Sequence, residues 1–221
     1  MMKSQHKILP ELSAQGIRKK PNPMLPRMFE ELYSLWGTTS ADRTIVDYGC
    51  GQLRHAEALL SISSRLVLVD TDYQLSTPHD FYGEKMLIAD FVASRWPHAS
   101  ISLMSTATFA QSTINADAIF SINVLDVVPR RTRAPMIDAA VRNLAKSGYF
   151  VAIAPRNDTW TLRICTQANQ YQDGHIFQHK RGYTYYRNWD GSSLHTWLSS
   201  RGLTAVKDFS RYRQMCAIFQ K

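Results

Sequence analysis

Short apolar runs alternate with longer amphipathic segments along most of this chain. Strands of a parallel sheet are continuous apolar runs, because helices cover both faces of such a sheet. Runs of this kind occupy residues 43–49, 65–72, 101–104, 117–122 and 149–155. Their alternation with segments of helical periodicity predicts βαβ units, and therefore a mostly parallel sheet with helices on both faces.

The segments around these runs have apolar residues at helical spacing. One predicted helix starts near Pro26, two others span residues 53–62 and 80–96, and a fourth ends near Gly148. The last of these helices either begins at Pro135 or follows Pro129, since proline is tolerated in the first turn of a helix and just before it.

The pattern changes after the fifth apolar run. Residues 156–190 are polar, aromatic and basic, whereas residues 194–202 again predict a helix, with Gly202 at its end. Two final apolar runs, LTAVKDF and QMCAIF, predict a strand pair at the edge of the sheet. The sequence thus predicts a basic arm and a cap helix over residues 1–40. One α/β domain follows over residues 41–221, with an aromatic and basic insertion at 156–190.

The net charge of the 221-residue chain is +8, and it is unevenly distributed. Residues 1–40 carry six Lys or Arg and three Asp or Glu, residues 41–154 carry ten and eleven, and residues 155–221 carry ten and four. The middle is therefore close to neutral, and both ends are basic. This distribution favours an anionic partner that meets the flanks, with nucleic acid one candidate, although a basic surface can also serve solubility alone.

Cysteine usage and hydropathy restrict the compartment. The three cysteines lie far apart, which gives neither a disulfide framework nor a zinc pattern and suits a reducing environment. No run approaches the roughly 18 apolar residues of a membrane span, and the N-terminus lacks the apolar core of a signal peptide. We therefore expect a cytoplasmic protein without a membrane segment. We also expect no metal site, because His175 and His179 lack a third suitably spaced ligand.

The first two apolar runs end in the residues that carry the chemistry. Asp47 closes the first run and leads through Gly49 and Gly51 into a helix, and Asp70 closes the second run. Glycines at such a turn let a ligand approach the backbone, and an acid at the tip of the second strand can accept hydrogen bonds from two ribose hydroxyls. We therefore predict a nucleoside-containing cofactor at the carboxyl ends of the strands.

The glycine loop also indicates which cofactor binds. Dinucleotide-binding loops carry a third glycine, whereas here Gln52, Leu53 and Arg54 follow Gly51. Asp47 at the strand tip would repel a pyrophosphate and would attract an amino group or a sulfonium. These residues favour S-adenosylmethionine over a dinucleotide.

Four segments, in order and at the expected spacing, resemble the class I S-adenosylmethionine-dependent methyltransferases. Residues 46–51, VDYGCG, are similar to the family's first motif, and the acid in Val69–Asp70 is similar to its ribose-binding acid. Residues 116–125 resemble the segment around the fourth strand, and residues 144–153 resemble the helix, turn and fifth strand. The resemblance implies a Rossmann-like fold with a seven-stranded, mostly parallel sheet whose last strand is antiparallel, and S-adenosylmethionine as cofactor.

The resemblance also implies which residues hold the cofactor. These residues are Asp47, Tyr48, Gly49, Cys50, Gly51, Asp70, Thr71, Ser105, Thr106 and Asn123. Two departures from the family pattern keep open a cofactor-binding but inactive subunit of a complex. Leu53 replaces the usual third glycine, and the acid often found after the third strand is absent, so that Ser105, Thr106 or Thr108 would stand in for it.

The implied reaction is displacement of a methyl group onto a nitrogen or oxygen nucleophile, driven largely by alignment and exclusion of water. Asn123 and Asp126, which follow the fourth strand, are the candidate catalytic residues. Asp126 is either a general base, a group that orients the acceptor, or a solvated carboxylate ahead of a helix.

Five residues are candidates for binding the methyl acceptor, namely Arg18, Arg156, Tyr183, Tyr185 and Arg187. Aromatic side chains beside arginines can stack on bases and hold phosphates, close a pocket over a small aromatic molecule, or simply pack in a core. The segment after the fourth strand has neither the Pro-Pro-aromatic motif of DNA amino-methyltransferases nor the Pro-Cys of cytosine C5 enzymes. The basic flanks favour a nucleic acid or another anionic molecule as acceptor, and a small molecule is the alternative. A protein partner or a homo-oligomer is left open.

Overall fold

The computed structural model describes residues 20–38, 42–155, 169–179, 182–209 and 214–221. In these ranges the helices are α1 (Leu25–Trp36), α2 (Ala56–Leu60), α3 (Asp72–Ser76), α4 (Ile88–Arg95), α5 (Thr106–Gln111), α6 (Arg130–Asn143) and α7 (Gly191–Ser199). The strands are β1 (Thr44–Tyr48), β2 (Arg65–Asp70), β3 (His79–Phe81), β4 (Glu84–Met86), β5 (Ser100–Ser105), β6 (Ala116–Ile122), β7 (Leu144–Pro155), β8 (Asn169–Tyr171), β9 (Gly174–His179), β10 (Gly182–Tyr186), β11 (Thr204–Asp208) and β12 (Gln214–Gln220).

The main sheet has seven strands in the order β11-β12-β7-β6-β1-β2-β5. The five strands from β7 to β5 are parallel to one another. The last strand of the chain, β12, runs antiparallel to β7, and β11 pairs antiparallel with β12 at the edge. The predicted parallel sheet and its antiparallel last strand are confirmed.

Apolar residues on the two faces of this sheet form two separate cores. Successive strand residues point to opposite faces, so Ile45 and Leu68 join the core with α1, α2 and α4, whereas Val46 and Val69 join the core with α5, α6 and α7. Helices therefore cover both faces, as the continuous apolar runs predicted. This two-sided burial leaves the ends of the strands as the place where polar side chains can gather.

Two helix predictions need adjustment. The first half of the helix predicted over residues 80–96 is a hairpin of β3 and β4, and the helix itself is only α4. Tyr82 and Gly83 both have positive φ, 57° and 102°, which is typical of a tight turn between antiparallel strands, and the Gly83 N–H donates to Asp80 Oδ1 over 2.9 Å. The next predicted helix is α6. It begins directly after Pro129 and contains Pro135, so the start after Pro129 is the one observed.

The aromatic and basic stretch contains strands that the sequence pattern did not predict. Its described residues form a three-stranded antiparallel sheet in the order β10-β9-β8. Ile176 of β9 lies opposite Tyr185 of β10 and Asn169 of β8. This small sheet brings residues far apart in sequence next to the loop after β6, which is where the candidate site lies.

Candidate active site

The polar residues singled out in the sequence end neighbouring strands of the main sheet. Asp47 lies near the end of β1, Asp70 ends β2 and faces Ser105 of β5 in register, and Asn123 follows β6. Because these strands are parallel, their carboxyl ends meet at one edge. Ligands of open α/β sheets bind at this edge.

The loop after β1 is held between the strands on either side of it. The N–H groups of Gly49 and Cys50 both donate to the Val69 carbonyl of β2, over 2.8 and 3.1 Å. Gly49 has a φ of +89°, and a Cβ on it would lie 2.4 Å from Cγ2 of Val124, which follows β6. Only glycine satisfies both the backbone conformation and this close approach.

Replacing Gly49 with alanine should therefore lower the free energy of unfolding by about 3 kcal/mol, because the left-handed conformation and the clash with Val124 add. Gly37 supplies a matched control, since its φ is +69° but nothing lies within 4 Å of the position of its Cβ. Gly37→Ala should cost only about 1–2 kcal/mol, the conformational part. Urea denaturation of the two variants measures both values, and equal losses would show that contact with Val124 is unimportant.

Leu53 occupies the place where the resemblance expects a third glycine, and it takes the conformation that glycine would have. Its φ is +61°, its N–H donates to the Cys50 carbonyl over 2.9 Å, and its side chain is fully buried. The left-handed backbone costs about 1–2 kcal/mol, and burial of a leucine side chain offsets a cost of that size. The loop thus keeps its left-handed turn without the glycine.

Asp70 links the glycine loop to the end of β2. Its Oδ2 accepts from the Gly51 N–H and its Oδ1 from the Thr71 N–H, each over 2.7 Å. Burial raises the pKa of Asp70, although these two N–H donors oppose the rise. The carboxyl group is therefore fixed in orientation at the tip of β2, where a ribose acceptor was predicted.

Asp47 is 1% exposed, and its Oδ2 has no hydrogen-bond partner within the ranges that the structure describes. Burial, reinforced by the nearby charge of Asp70, raises the pKa of Asp47 to about 7. A buried, unpartnered carboxyl oxygen is costly unless a donor or a positive charge satisfies it. Asp47 is therefore suited to a cationic or donor-bearing ligand.

The loop after β6 adds two further buried oxygens. Asn123 has a φ of +56°, its N–H donates to the Ile153 carbonyl over 2.7 Å, and its Oδ1 lacks a partner among the described residues. Asp126 is 2% exposed, its Oδ1 is likewise unpartnered there, and burial raises its pKa to about 7. The interpretation of Asp126 as a solvated carboxylate is therefore wrong.

Several predicted cofactor residues have side chains that are already engaged. Tyr48 is buried and packs on Phe109, with ring centroids 4.9 Å apart, because it belongs to the face of β1 that α5 covers. Cys50 lies in the other core, where burial raises the pKa of its thiol well above the usual value. Ser105 caps α5 by accepting from the Thr108 N–H over 3.2 Å. Tyr48 and Cys50 thus contribute their side chains to the two cores, and their part in the site is to shape the backbone of the glycine loop.

Thr71 and Thr106 stand beside these residues at the same edge. Thr71 caps α3, because its Oγ1 accepts from the Gln74 N–H over 3.2 Å. Thr106 is half-buried at the first position of α5, directly after β5. Both threonines therefore lie where the strands end, next to Asp70 and Ser105 respectively.

The predicted acceptor residues are distributed differently. Tyr185 is fully buried and donates from its hydroxyl to Asp173 Oδ1 over 2.7 Å, and Arg187 forms an ion pair with the same carboxylate. Tyr183 is half-buried on β10. Arg18 and Arg156 lie outside the described residues. The structure therefore brings Tyr185 and Arg187 together around Asp173, a residue that the sequence pattern did not point to.

The segment before α1 lies on the residues that follow the glycine loop. Arg54 Nε donates to the Lys20 carbonyl over 2.6 Å, and the Asn22 N–H donates to His55 Nδ1 over 3.4 Å. Burial, together with the charge of Arg54, lowers the pKa of His55 to about 4, which keeps the ring neutral and able to accept. No sequence motif marks Asn22. It helps to hold the segment before α1 against the residues after the glycine loop, through a contact between residues 33 positions apart.

Two further features concern the described ranges alone. Within them, no group of three or more His, Cys, Asp or Glu side chains could hold a metal ion. In the same ranges, no helix is both long enough and apolar enough to span a bilayer.

Comparisons with known proteins place this geometry among known folds. No family model matches the chain. The uncharacterized protein YmfD of Escherichia coli K12 is 27% identical over 169 residues, which cover 75% of this chain and 74% of YmfD.

Solved structures match over more of the chain. A methyltransferase from Methanosarcina mazei, described as S-adenosylmethionine-dependent, has a TM-score of 0.65 at 14% identity and covers 92% of this chain and 99% of its own. The 1,6-didemethyltoxoflavin-N1-methyltransferase of Burkholderia thailandensis, solved with 1,6-didemethyltoxoflavin and S-adenosylhomocysteine, has a TM-score of 0.63 at 14% identity and covers 90% of this chain and 78% of its own. Together with the strand order and the glycine loop at the carboxyl edge, these likenesses show that the chain has the Rossmann-like fold of the class I methyltransferases.

Proposed function

We propose that this protein is an S-adenosylmethionine-dependent methyltransferase whose acceptor is a small molecule. The observation that carries the proposal is the carboxyl edge of the sheet. There a glycine turn, a fixed carboxylate at Asp70 and an unpartnered carboxyl at Asp47 lie together, in a fold shared with methyltransferases.

The residues present fit this cofactor. Asp70 would accept from the ribose hydroxyls, and Asp47 and the loop through Gly49 and Gly51 would face the methionine part, with Asp47 towards its ammonium group. The buried Asn123 Oδ1 supplies a further acceptor for a donor on the ligand. Ser105, in register with Asp70, and Thr106 directly after it would stand on the adenine side in this assignment.

When bound, S-adenosylmethionine would supply a methyl group on a sulfonium, which is electrophilic without further activation. The chain's own part is to align the acceptor and to exclude water. A nitrogen or oxygen nucleophile must also lose its proton, and Asp126 is the candidate base, since a carboxyl group with a pKa of about 7 is partly ionised at neutral pH. As the acceptor nitrogen or oxygen bonds to the methyl carbon, the carbon–sulfur bond would break and the sulfur would leave as a neutral thioether with the electron pair. The acceptor's proton would go to the Asp126 carboxylate.

A small-molecule acceptor is favoured over nucleic acid by the engagement of the basic residues. Arg133 and Arg187 both pair with Asp173 inside the protein, so both guanidinium groups are engaged there and one of their two charges is offset. The structurally similar Burkholderia enzyme is named for a small heterocyclic acceptor. The overall charge of +8 is the observation that favours the second candidate, a nucleic acid acceptor.

Transfer of a tritiated methyl group from the labelled cofactor separates the two candidates. The protein is incubated with the small-molecule fraction of a cell extract and, separately, with total RNA and sheared DNA. Label is expected in the small-molecule fraction. Replacing Asp126 with asparagine should reduce that label, whereas the matched control Asp90→Asn, at an exposed position, should not. Label that appears only in nucleic acid would contradict the small-molecule proposal. Absence of label, with the cofactor bound, would favour the inactive subunit.

The affinity for S-adenosylmethionine should rise with pH. The free protein holds a proton on Asp47 below a pKa of about 7, whereas a cationic ligand favours the carboxylate, so binding below that pH must release a proton. The association constant is therefore expected to increase roughly tenfold from about pH 5.5 to about pH 7 and then to level off. Calorimetry at each pH measures this, and Asp47→Asn should flatten most of the slope. An affinity that falls with rising pH would contradict the assignment of Asp47.

A further inference from the structure

We infer that Asp173, in the turn between β8 and β9, is a positioning residue that holds Asp126 and its loop in place for the acceptor. This inference rests on the function proposed above, since it concerns the acceptor side of that same site. Asp173 is 47 residues from Asp126 along the chain, and the link between them is made by two arginines, Arg133 and Arg187.

Asp173 is the centre of a partly buried network. Its Oδ2 pairs with the guanidinium groups of Arg133 and Arg187, and its Oδ1 accepts from the Tyr185 hydroxyl over 2.7 Å. Burial raises the pKa of Asp173, but the hydrogen bond from Tyr185 and the two guanidinium groups outweigh it and hold that pKa below its usual range. The carboxylate is therefore ionised and fully occupied.

Arg133 carries the network to the loop that contains Asp126. Its side chain is fully buried, and its Nη1 donates to the carbonyls of Leu125 and Val128 over 3.0 and 2.8 Å. The same guanidinium lies 4.7 Å from the ring centroid of Trp189. The buried guanidinium of Arg133 thus binds the backbone on both sides of Asp126, and its ion pair with Asp173 fixes its orientation.

Arg187 makes a second connection. Its backbone N–H donates to the Asp126 carbonyl over 2.6 Å, while its guanidinium pairs with Asp173 and stacks 3.9 Å from the Trp189 centroid. The backbone of Arg187 and the side chain of Arg133 therefore join the small sheet to the Asp126 loop.

The turn itself has little freedom. Gln172 Oε1 accepts from the Arg131 N–H of α6 over 2.9 Å. A Cβ on Gly174 would lie 2.5 Å from the Tyr185 hydroxyl oxygen, so the turn packs directly on that side chain. Asp173 is thus fixed from both sides, which is what a positioning residue requires.

The network also sets the charge around Asp126. Among the described residues, the charged side chains of the network bonded to this loop are Arg133 of α6, Arg187 after β10, and Asp173, with the Tyr185 hydroxyl bonded to the last of them. Asp173 offsets one of the two guanidinium charges and so weakens the effect of Arg133 on the Asp126 carboxyl group. Burial raises the pKa of Asp126, the charge of Arg133 already lowers it, and without Asp173 that charge would lower the pKa further.

The test compares Asp173→Asn with Asp138→Asn. The control removes an Arg–Asp pair that also uses α6, where Arg201 Nη1 donates to both carboxylate oxygens of Asp138 over 2.9 Å, but this pair is partly exposed and joins α6 to the segment after α7 rather than to the Asp126 loop. In Asp173→Asn, amide hydrogen exchange of residues 125–128 should become at least about tenfold faster, whereas exchange in β6 and β7 stays unchanged. Asp138→Asn should leave both regions unchanged.

A second readout separates positioning from mere support of the fold. In protein with ¹³C-labelled aspartate, the Asp126 carboxyl carbon should titrate near pH 7 in the parent and about one pH unit lower in Asp173→Asn. An unchanged midpoint of the Asp126 titration would overturn the inference. So would amide exchange that accelerates in β6 and β7 as much as in residues 125–128. If Asp173→Asn does not fold, Tyr185→Phe, which removes one hydrogen bond to Asp173, should give the same two changes at smaller size. Neither readout needs the cofactor, so failure of cofactor binding in the parent would overturn the proposed function alone.

Discussion

Replacing Asp70 with alanine is expected to lower the affinity for S-adenosylhomocysteine by at least about 100-fold. A carboxylate at the tip of β2 would accept from two ribose hydroxyls, and each hydrogen bond to a charged acceptor contributes roughly 1.5–3 kcal/mol. The variant also removes the carboxyl oxygens that accept from the N–H groups of Gly51 and Thr71, so the glycine loop loses its tie to β2. Calorimetric titration of the variant and the parent measures the change.

Asp90→Ala supplies the control for this variant. Asp90 is an exposed carboxylate in the first turn of α4, and its removal should leave the dissociation constant within about twofold of the parent. A loss of less than about fivefold in Asp70→Ala, with the fold intact by circular dichroism, would contradict the role assigned to Asp70.

Replacing Arg133 with methionine is expected to lower the free energy of unfolding by roughly 3–5 kcal/mol. The change removes a buried cation that donates to two backbone carbonyls and pairs with Asp173, and it leaves both carbonyls without that donor and the carboxylate with only Arg187 and Tyr185. Urea denaturation followed by tryptophan fluorescence measures the loss.

The double variant Arg133→Met with Asp173→Asn separates the charge from the packing. If the lost contacts of the guanidinium dominate, the double variant should recover none of the stability, because Arg187 still pairs with Asp173 in the single variant and loses that carboxylate in the double variant. Arg201→Met, which removes a partly exposed pair with Asp138, should cost no more than about 1 kcal/mol. A loss of that small size in Arg133→Met would show that the buried network contributes little to stability.

The sheet and its polar edge could be predicted because their signals are local. Each strand of the main sheet is one apolar run, and parallel strands must bring Asp47 and Asp70 to the same edge. The same local pattern already places Tyr48 in a core, since it lies two residues after Val46 on the same face of β1. The glycine motif therefore predicts where the loop lies, whereas the alternation of residues along β1 predicts which way each side chain points.

The rest depends on contacts between distant residues, which no local pattern specifies. Arg133 and Asp173 are 40 positions apart, and the sequence marks neither of them. Helical spacing predicts one helix over residues 80–96, whereas the first part of this segment belongs to a hairpin whose turn is supplied by Tyr82 and Gly83. Tyr185 and Arg187 were singled out for their chemistry, and the structure shows that this chemistry serves an internal network.

Calorimetric titration of the purified protein with S-adenosylmethionine tests the central proposal most directly. The acidic edge with Asp47 and Asp70 and the glycine loop at Gly49 should give saturable binding at one site per chain. A dissociation constant of about 1–100 μM is expected, with release of protons below pH 7 as Asp47 ionises. No heat at a ligand concentration of about 1 mM, with the protein folded, would contradict the proposal that this edge of the sheet binds the cofactor.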